Sequence, residues 1–384
     1  MSLIEVLPHP AGTLVALSGG GYTPHAAVAD LIDNAISAGA KVISLHLDIS
    51  GEGVLSVEDD GRGMDQETLT EAMRVSTGWG TVRADDDLGR FGTGMKAAAL
   101  HLSEVGRFTV SSAAADGTGT AITMDLRQIE KEDRWVVHRE DRMSLKRGTR
   151  VDIIGPLFPR RQEEASAGLM ALSGHLRVTF AAQLQGGLKI MLQGKSLEPW
   201  ALCTSDLPGM TSMSSRPLKG RVRVTPFILP TDTEDPMVEG PLGRQAHAGF
   251  HVHRNGRAIV SGGWLGMSAG KRGSGERNRI RLLVEIGPEH DDLWKVTLPK
   301  SGCTLPQMYR KPLKLLLDEV LSRAGRQRAV RTDVGTRRRN REAWTNDGLI
   351  RREHPLVKKV FELSSDVAAV EQLLAVLEGG HQDG

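Results

Sequence analysis

In residues 23–38, Leu31, Ile32, Ala35 and Ile36 recur at helical spacing and form one apolar stripe. Thr23 stands where an N-cap belongs, and Pro24 suits a first helical turn. The next segment, "KVISLHLDIS", alternates apolar and polar residues as a half-buried strand does, and a glycine-rich turn leads to a second strand, "VLSVEDD". "DQETLTEAMRVS" reads as a short helix capped by Asp65. Residues 77–94, "TGWGTVRADDDLGRFGTG", are rich in glycine and charge and lack sustained apolar periodicity, which predicts a long loop. "MKAAALHLSEV" follows as a helix, and then "RFTVSSAA", "GTAITMDL", "RWVVHRE" and "GTRVDIIGPL" read as strands.

This order predicts an α+β unit over residues 1–159: a two-layer α/β sandwich with helices on one face of a mixed or antiparallel sheet. A second α/β unit is expected over 160–325. It holds "HLRVTFAAQL", strand-like "GLKIMLQ", "GRVRVTPFIL", "AGFHVHRNGRAIVSGG", "NRIRLLVEIG" and a helix, "LPQMYRKPLKLLLDEVLSRA". Residues 326–384 read as a basic linker and a C-terminal helix, "VAAVEQLLAVLEGG", which together make a helical tail.

Composition narrows the class. With 384 residues, 39% apolar and 25% charged, the chain has the make-up of a soluble globular protein of two or three domains. Its two cysteines, Cys203 and Cys303, match neither a disulfide framework nor zinc-ligand spacing. No apolar run approaches the roughly 20 residues that span a bilayer, and the first residues are not those of a signal peptide, so the expected compartment is the cytoplasm with no membrane partner. Net charge is only +2, so affinity for nucleic acid has to come from clustering. Residues 323–359 are such a cluster, with "RRR" at 337–339 and only four acids, and they read either as a solvated linker or as a polyanion contact. Lys271 and Arg272 sit in a basic loop, "AGKRGSGERN", that reads as solvated.

Three segments carry candidate chemistry. In "DLIDNAISAGA" (30–40), Asp30 and Asn34 lie four residues apart and share a helical face. "EDDGRGM" (58–64) sets a carboxylate at a strand end beside two glycines that let backbone approach a flat ligand. "GRFGTGMKAAAL" (89–100) leads three glycines into a helix N-terminus, where free amides and the helix dipole favour phosphate. No strand immediately precedes these glycines and they do not spell GxxxxGK[ST], so neither a dinucleotide fingerprint nor a P-loop is present.

In this order and spacing the three segments resemble the N, G1 and G2 boxes of the GHKL ATPases, the superfamily of gyrase B, heat-shock chaperones, MutL and histidine kinases, with MORC-like prokaryotic proteins as the nearest form. "GTRVDII" (148–154) resembles the strand that closes the adenine pocket, while "RNGRAIVSGGWLG" and "DDLWKVTLPKSG" are similar to a transducer domain. The resemblance implies a Bergerat-type ATP-binding fold, a transducer-like domain, ATP and Mg²⁺ as cofactors, and an ATP-dependent homodimer acting on DNA through residues 323–359. It assigns Asn34 to Mg²⁺, and Asp59 to the adenine amino group with Gly61, Gly63 and Met64 beside the base. Thr149 would hold a water there. Gly89, Arg90, Phe91, Gly92, Thr93, Gly94, Met95 and Lys96 would form the lid and phosphate cradle, although Lys96 also reads as a surface lysine. Asp30 falls where the family has a glutamate that activates water, one methylene shorter, which makes binding better supported than turnover. Lys300, in "LPKSG", is the candidate to reach the γ-phosphate, with Lys295 the runner-up and an exposed loop lysine the plain alternative. A chaperone-like or regulatory ATP switch on a protein partner is the other reading. The intact glycines argue against a degenerate pocket, and no phosphorylation helix precedes the ATPase segments to make a sensor kinase.

Overall fold

The computed structural model describes residues 4, 6, 8–75, 93–141, 145–201, 207–231, 235–267, 274–297, 299–339, 345, 349–364 and 366–382. Alternation in residues 42–59 becomes an antiparallel hairpin, β1 (Val42–Asp48) and β2 (Val54–Asp59), with Ile43, Leu45, Leu47, Leu55 and Val57 buried. Together with β3 (Ser103–Ala113), β4 (Gly119–Asp125), β5 (His138–Glu140), β6 (Gly148–Pro156), β7 (Lys189–Leu192) and β8 (Lys195–Ser196) they form one sheet among the described residues, in the order β5-β4-β3-β6-β2-β1-β7-β8. Every pairing is antiparallel except β1 with β7. β7 comes well after residue 159, so the first sheet recruits a strand from the segment expected to begin the second unit. A parallel partner needs a long crossover. Here it contains α6 (Gln162–Thr179) and α7 (Ala181–Gln185).

The segment "HLRVTFAAQL" therefore lies in α6 and α7. Its β-branched residues favour strand locally, but Leu172, Leu176 and Phe180 recur every four residues and bury one helical face in the core.

The other helices around this sheet are α1 (Pro10–Ser18), α2 (Pro24–Ser37), α3 (Gln66–Met73), α4 (Gly94–Leu102) and α5 (Leu126–Glu132). α2 is held as expected: Thr23 Oγ1 accepts from the Ala26 amide at 3.2 Å, with Pro24 at the first position. Asp65 caps α3 by accepting from Thr68 at 2.8 Å. α2 packs on α4, and both helices are rich in buried alanine: Ala26, Ala27 and Ala29 on one, Ala97, Ala98 and Ala99 on the other. Small side chains let the two backbones approach, which brings the start of α4 up to the polar residues of α2. Phe108, Val110, Ile122, Met124, Val151 and Ile153 complete the sheet's side of this core.

A second mixed sheet, also counted over the described residues, holds β9 (Thr211–Ser212), β10 (Arg216–Pro217), β11 (Arg223–Ile228), β12 (Gly249–Arg254), β13 (Arg257–Ser261) and β14 (Ile280–Ile286). Its order is β10-β11-β14-β12-β13 with β9 on β11, and β12 runs parallel to β14. Short helices α8 (Pro236–Glu239), α9 (Ser274–Arg277) and α10 (Asp291–Trp294) punctuate it. α11 (Gln307–Arg339) follows, so the first part of the basic stretch, "RRR" included, is helix and not linker.

Two compact units emerge, residues 1–317 and 318–384. The first contains both sheets. In the second, α12 (Pro355–Leu363) and α13 (Val367–Gln382) share a small core of Ile350, Val357, Val370 and Leu374, and Arg352 pairs with Glu378 and Glu371. α12 falls in the segment ahead of the C-terminal helix, where the sequence signals a linker. No described helix is long and apolar enough to cross a membrane.

Candidate active site

α2 carries three polar residues within five positions. Asp30 and Asp33 are 4% and 0% exposed, a costly position for two carboxylates unless each oxygen is paired. Each is. Lys300 inserts its ammonium between them, donating to Asp30 Oδ1 at 2.8 Å and Asp33 Oδ2 at 2.9 Å. The Arg257 Nε donates to Asp33 Oδ1 at 2.9 Å, and the Tyr22 hydroxyl to Asp30 Oδ2 at 2.9 Å. Two carboxylates and two cations thus cancel inside the fold, through charge-assisted bonds of the strong kind.

Both cations come from the second sheet's side of the unit. Arg257 opens β13 directly after Asn255 and Gly256, whose φ values of 48° and 78° make the two-residue turn that suits a hairpin. Its guanidinium also donates to the Lys300 carbonyl at 2.7 Å and lies over the Phe180 ring at 5.7 Å. Lys300 sits in a tight turn, its amide donating to the Thr297 carbonyl at 2.8 Å, with a left-handed φ of 49°. Its side chain is 11% exposed, which overturns the plain surface-lysine alternative. Lys295 lies exposed at the end of α10.

Asn34, one turn on from Asp30, is half-buried, and its Nδ2 is buried with no hydrogen-bond partner among the described residues. Turning the amide exchanges its donor for its acceptor, so this position can offer an oxygen to a cation or a nitrogen to an anion. Such an unmet polar atom fits a site that takes a further ligand. A single amide oxygen is also what Mg²⁺ tolerates when phosphates and water fill its other positions. Among the described residues no cluster of three histidine, cysteine or acidic side chains could hold a metal by itself.

The second group gathers where β2 meets β6. Asp59 ends β2 opposite Thr149 and accepts from the Gly61 amide at 2.8 Å. Burial raises its carboxyl to about 6, against the opposing pull of the Gly61 and Thr149 amides. Two glycines make the close approach possible. At Gly63, with φ +67°, a Cβ would lie 1.8 Å from the Ala113 carbonyl oxygen; at Gly148, with φ +96°, it would lie 1.9 Å from that of Asp59. Ser112 ties these segments together: its hydroxyl donates to the Gly148 carbonyl at 3.0 Å and accepts from the Met64 amide at 2.8 Å. With that proton committed, the Thr149 hydroxyl at 2.9 Å is the donor to Ser112, which leaves Thr149 only acceptor lone pairs for a water.

α4 begins at Gly94, and Thr93 in the cap position makes no side-chain cap bond. A Cβ on Gly94 would come within 2.8 Å of Asp30 Oδ2, so this helix N-terminus abuts the α2 carboxylate. Met95 packs partly buried on the core. Lys96 is not a surface lysine: it is 2% exposed, and its ammonium donates to the Ala72 carbonyl, in the last turn of α3, at 2.6 Å. Gly89, Arg90, Phe91 and Gly92, like Lys271 and Arg272, lie outside the described residues.

The structure thus joins Asp30 to Lys300, sets Asn34 and the start of α4 beside them, and links Met64 and Thr149 through Ser112 next to Asp59. Sequence reasoning gave no role to Tyr22, Asp33, Ser112 or Arg257. Arg257 had a readable signal, a charged residue opening an otherwise apolar strand, "RAIV", after an Asn-Gly turn.

Residues 22–153 match the family model described as histidine kinase-, DNA gyrase B-, and HSP90-like ATPase. The DNA mismatch repair protein MutL of Elusimicrobium minutum is 30% identical over 128 residues, covering 33% of this chain and 21% of that protein. ATPase morc-1 of Caenorhabditis elegans is 36% identical over 105 residues, covering 27% and 12%. MutL of Bacillus licheniformis is 27% identical over 161 residues, covering 41% and 24%. This chain therefore spans a quarter or less of the length of these relatives. MutL proteins predominate among the matches, so the likeness is to the GHKL superfamily and not to MORC proteins in particular. The architecture is that of a GHKL-type α/β ATP-binding domain followed by a mixed α/β region and C-terminal helices.

Proposed function

We propose that this chain is a Mg-ATP-dependent ATPase that closes as a dimeric clamp on DNA or a DNA-bound complex. The observation that carries the reading is the buried contact of Lys300 with Asp30: a cation from beyond the second sheet is delivered to the helix that bears the catalytic carboxylate. Coupling between nucleotide and the rest of the chain needs such a link.

Asp59 accepts a hydrogen bond from the adenine amino group, with Gly61, Gly63 and Met64 beside the base and Thr149 holding a water. The first turn of α4, Thr93 to Lys96, meets the phosphates with the positive end of its helix dipole. Asn34 would hold Mg²⁺, which neutralises triphosphate charge when bound. Asp30 takes the proton of the attacking water as the water oxygen bonds to the γ-phosphorus, and the bond to the β–γ bridging oxygen breaks with its electron pair leaving on ADP. Lys300 moves from the carboxylates to the γ-phosphate, where it offsets charge that grows in the transition state.

MutL relatives named for DNA mismatch repair, and the arginine-rich end of α11, support DNA as the partner. A second reading, a slow ATP switch acting on a protein, is favoured by one feature: both oxygens of Asp30 are already engaged, by Tyr22 and Lys300. Calorimetry with Mg-ATP tests the site. Binding to wild type, its loss in Asp59→Asn, and retained binding without turnover in Asp30→Ala are expected, and equal turnover in Asp30→Ala would remove Asp30 from the mechanism. Sedimentation with a non-hydrolysable ATP analogue should show dimers. DNA affinity that falls steeply with salt, and less steeply without Arg337 to Arg339, separates the first reading from the second.

A further inference from the structure

Asp30 occupies a place fitted to a short side chain. Its Oδ2 lies 2.9 Å from the Tyr22 hydroxyl, and the start of α4 is so close that only the missing Cβ of Gly94 avoids it. A glutamate following the same path would push its carboxylate about 1.5 Å further, one carbon–carbon bond, into Tyr22, Gly94 and Lys300. What the aspartate lacks in reach is met by a partner that comes to it.

Tyr22 is well placed to be that partner. It directly precedes the Thr23 cap of α2, is 7% exposed, and lies with its ring 5.7 Å from that of His101 on α4. Burial, and next the negative charge of Asp30, raise its hydroxyl far above the usual tyrosine range, so it remains a donor at every working pH. Lys300 is an aliphatic stem on a turn, able to exchange one anion for another, whereas the Tyr22 ring is buried against His101 of α4.

We infer that Tyr22 is the positioning residue of this site: it holds Oδ2 of Asp30 throughout the cycle, so that Oδ1 faces the attacking water once Lys300 transfers to the γ-phosphate. The inference rests on the proposed role of Asp30 as the base.

The test uses the full chain and compares wild type with Tyr22→Phe, Asp30→Glu and the double variant, measuring steady-state ATP hydrolysis and the affinity for a non-hydrolysable ATP analogue. Tyr22→Phe should lower kcat roughly tenfold to a hundredfold, the range expected when a reacting group is misplaced by about 1 Å, while analogue Kd stays within about twofold. Removing the phenol oxygen makes room for the longer acid, so Tyr22→Phe with Asp30→Glu should turn over faster than Tyr22→Phe alone, a coupling that a merely structural tyrosine would not produce. Wild-type kcat in Tyr22→Phe, a loss carried by Kd, or no rescue in the double variant would each overturn the assignment while leaving the ATPase reading intact. Absence of turnover in the wild type would overturn both.

Discussion

Replacing Arg257 with methionine isolates what the buried network contributes. Methionine keeps much of the apolar stem while it removes the guanidinium that lies over Phe180, so the loss falls chiefly on charge and hydrogen bonds. The charge balance changes from two carboxylates and two cations to two carboxylates and one cation, at a place where Arg257 and Asp33 are 2% and 0% exposed. Breaking a buried pair by removing one partner typically costs about 3–5 kcal/mol. Asp33 keeps Lys300 on its other oxygen, which argues for the lower end, about 3 kcal/mol, or roughly a hundredfold in the folded-to-unfolded ratio. The Lys300 carbonyl also loses its guanidinium donor, so the turn that carries the ammonium loosens. Urea unfolding followed by circular dichroism should show this loss as a lower midpoint at unchanged slope. Combining Arg257→Met with Asp33→Asn restores neutrality, because one carboxylate then faces one ammonium, and should recover about 2 kcal/mol relative to the sum of the single changes. A single-variant loss below about 1 kcal/mol, or strict additivity in the pair, would refute the view that mutual neutralisation holds this site together.

Two other expectations concern the junction of β2 and β6 at Asp59. Because burial raises the Asp59 carboxyl to about 6, wild-type nucleotide affinity should weaken as pH falls through about 6 and the charged acceptor is lost; a flat calorimetric profile from pH 5 to 8 would count against Asp59 as the acceptor. The same shift has the opposite sign for folding: between about pH 4 and 6 the native state holds the proton and the unfolded state does not, so this group's contribution to stability increases as pH falls. Gly148→Ala puts a methyl 1.9 Å from the Asp59 carbonyl at a φ of +96°, and should cost at least about 2 kcal/mol in thermal or urea unfolding together with nucleotide binding. A melting temperature and an affinity equal to wild type would show that β2 and β6 can part there without penalty.

The parts of the site legible in the chain were those whose chemistry is local. Asp30 and Asn34 share a face because four residues are about one helical turn, and Asp59 ends a strand whose alternation is visible in "VLSVED". The cap at Thr23 and the cap at Asp65 likewise depend on neighbours within three residues. Nothing local marks Asp33, since its burial depends on Arg257, 224 positions away. The helix α6 is not legible in "HLRVTFAAQL", because β-branched residues favour strand over a short window, while the face it buries is defined by a core assembled from distant segments.

By itself, then, the sequence determined the helix and strand periods, the caps, and the residue types that suit a nucleotide and a cation, all of which rest on interactions a few residues apart. Only the tertiary structure decided that β7 joins the first sheet, that Lys300 bonds Asp30 while Lys295 lies exposed, and that Tyr22, Asp33 and Arg257 complete the environment of Asp30. The physical reason is desolvation. A carboxylate at a surface needs no fixed partner, but one removed from water must have its charge and lone pairs met, and which groups meet them is set by how the chain packs back on itself.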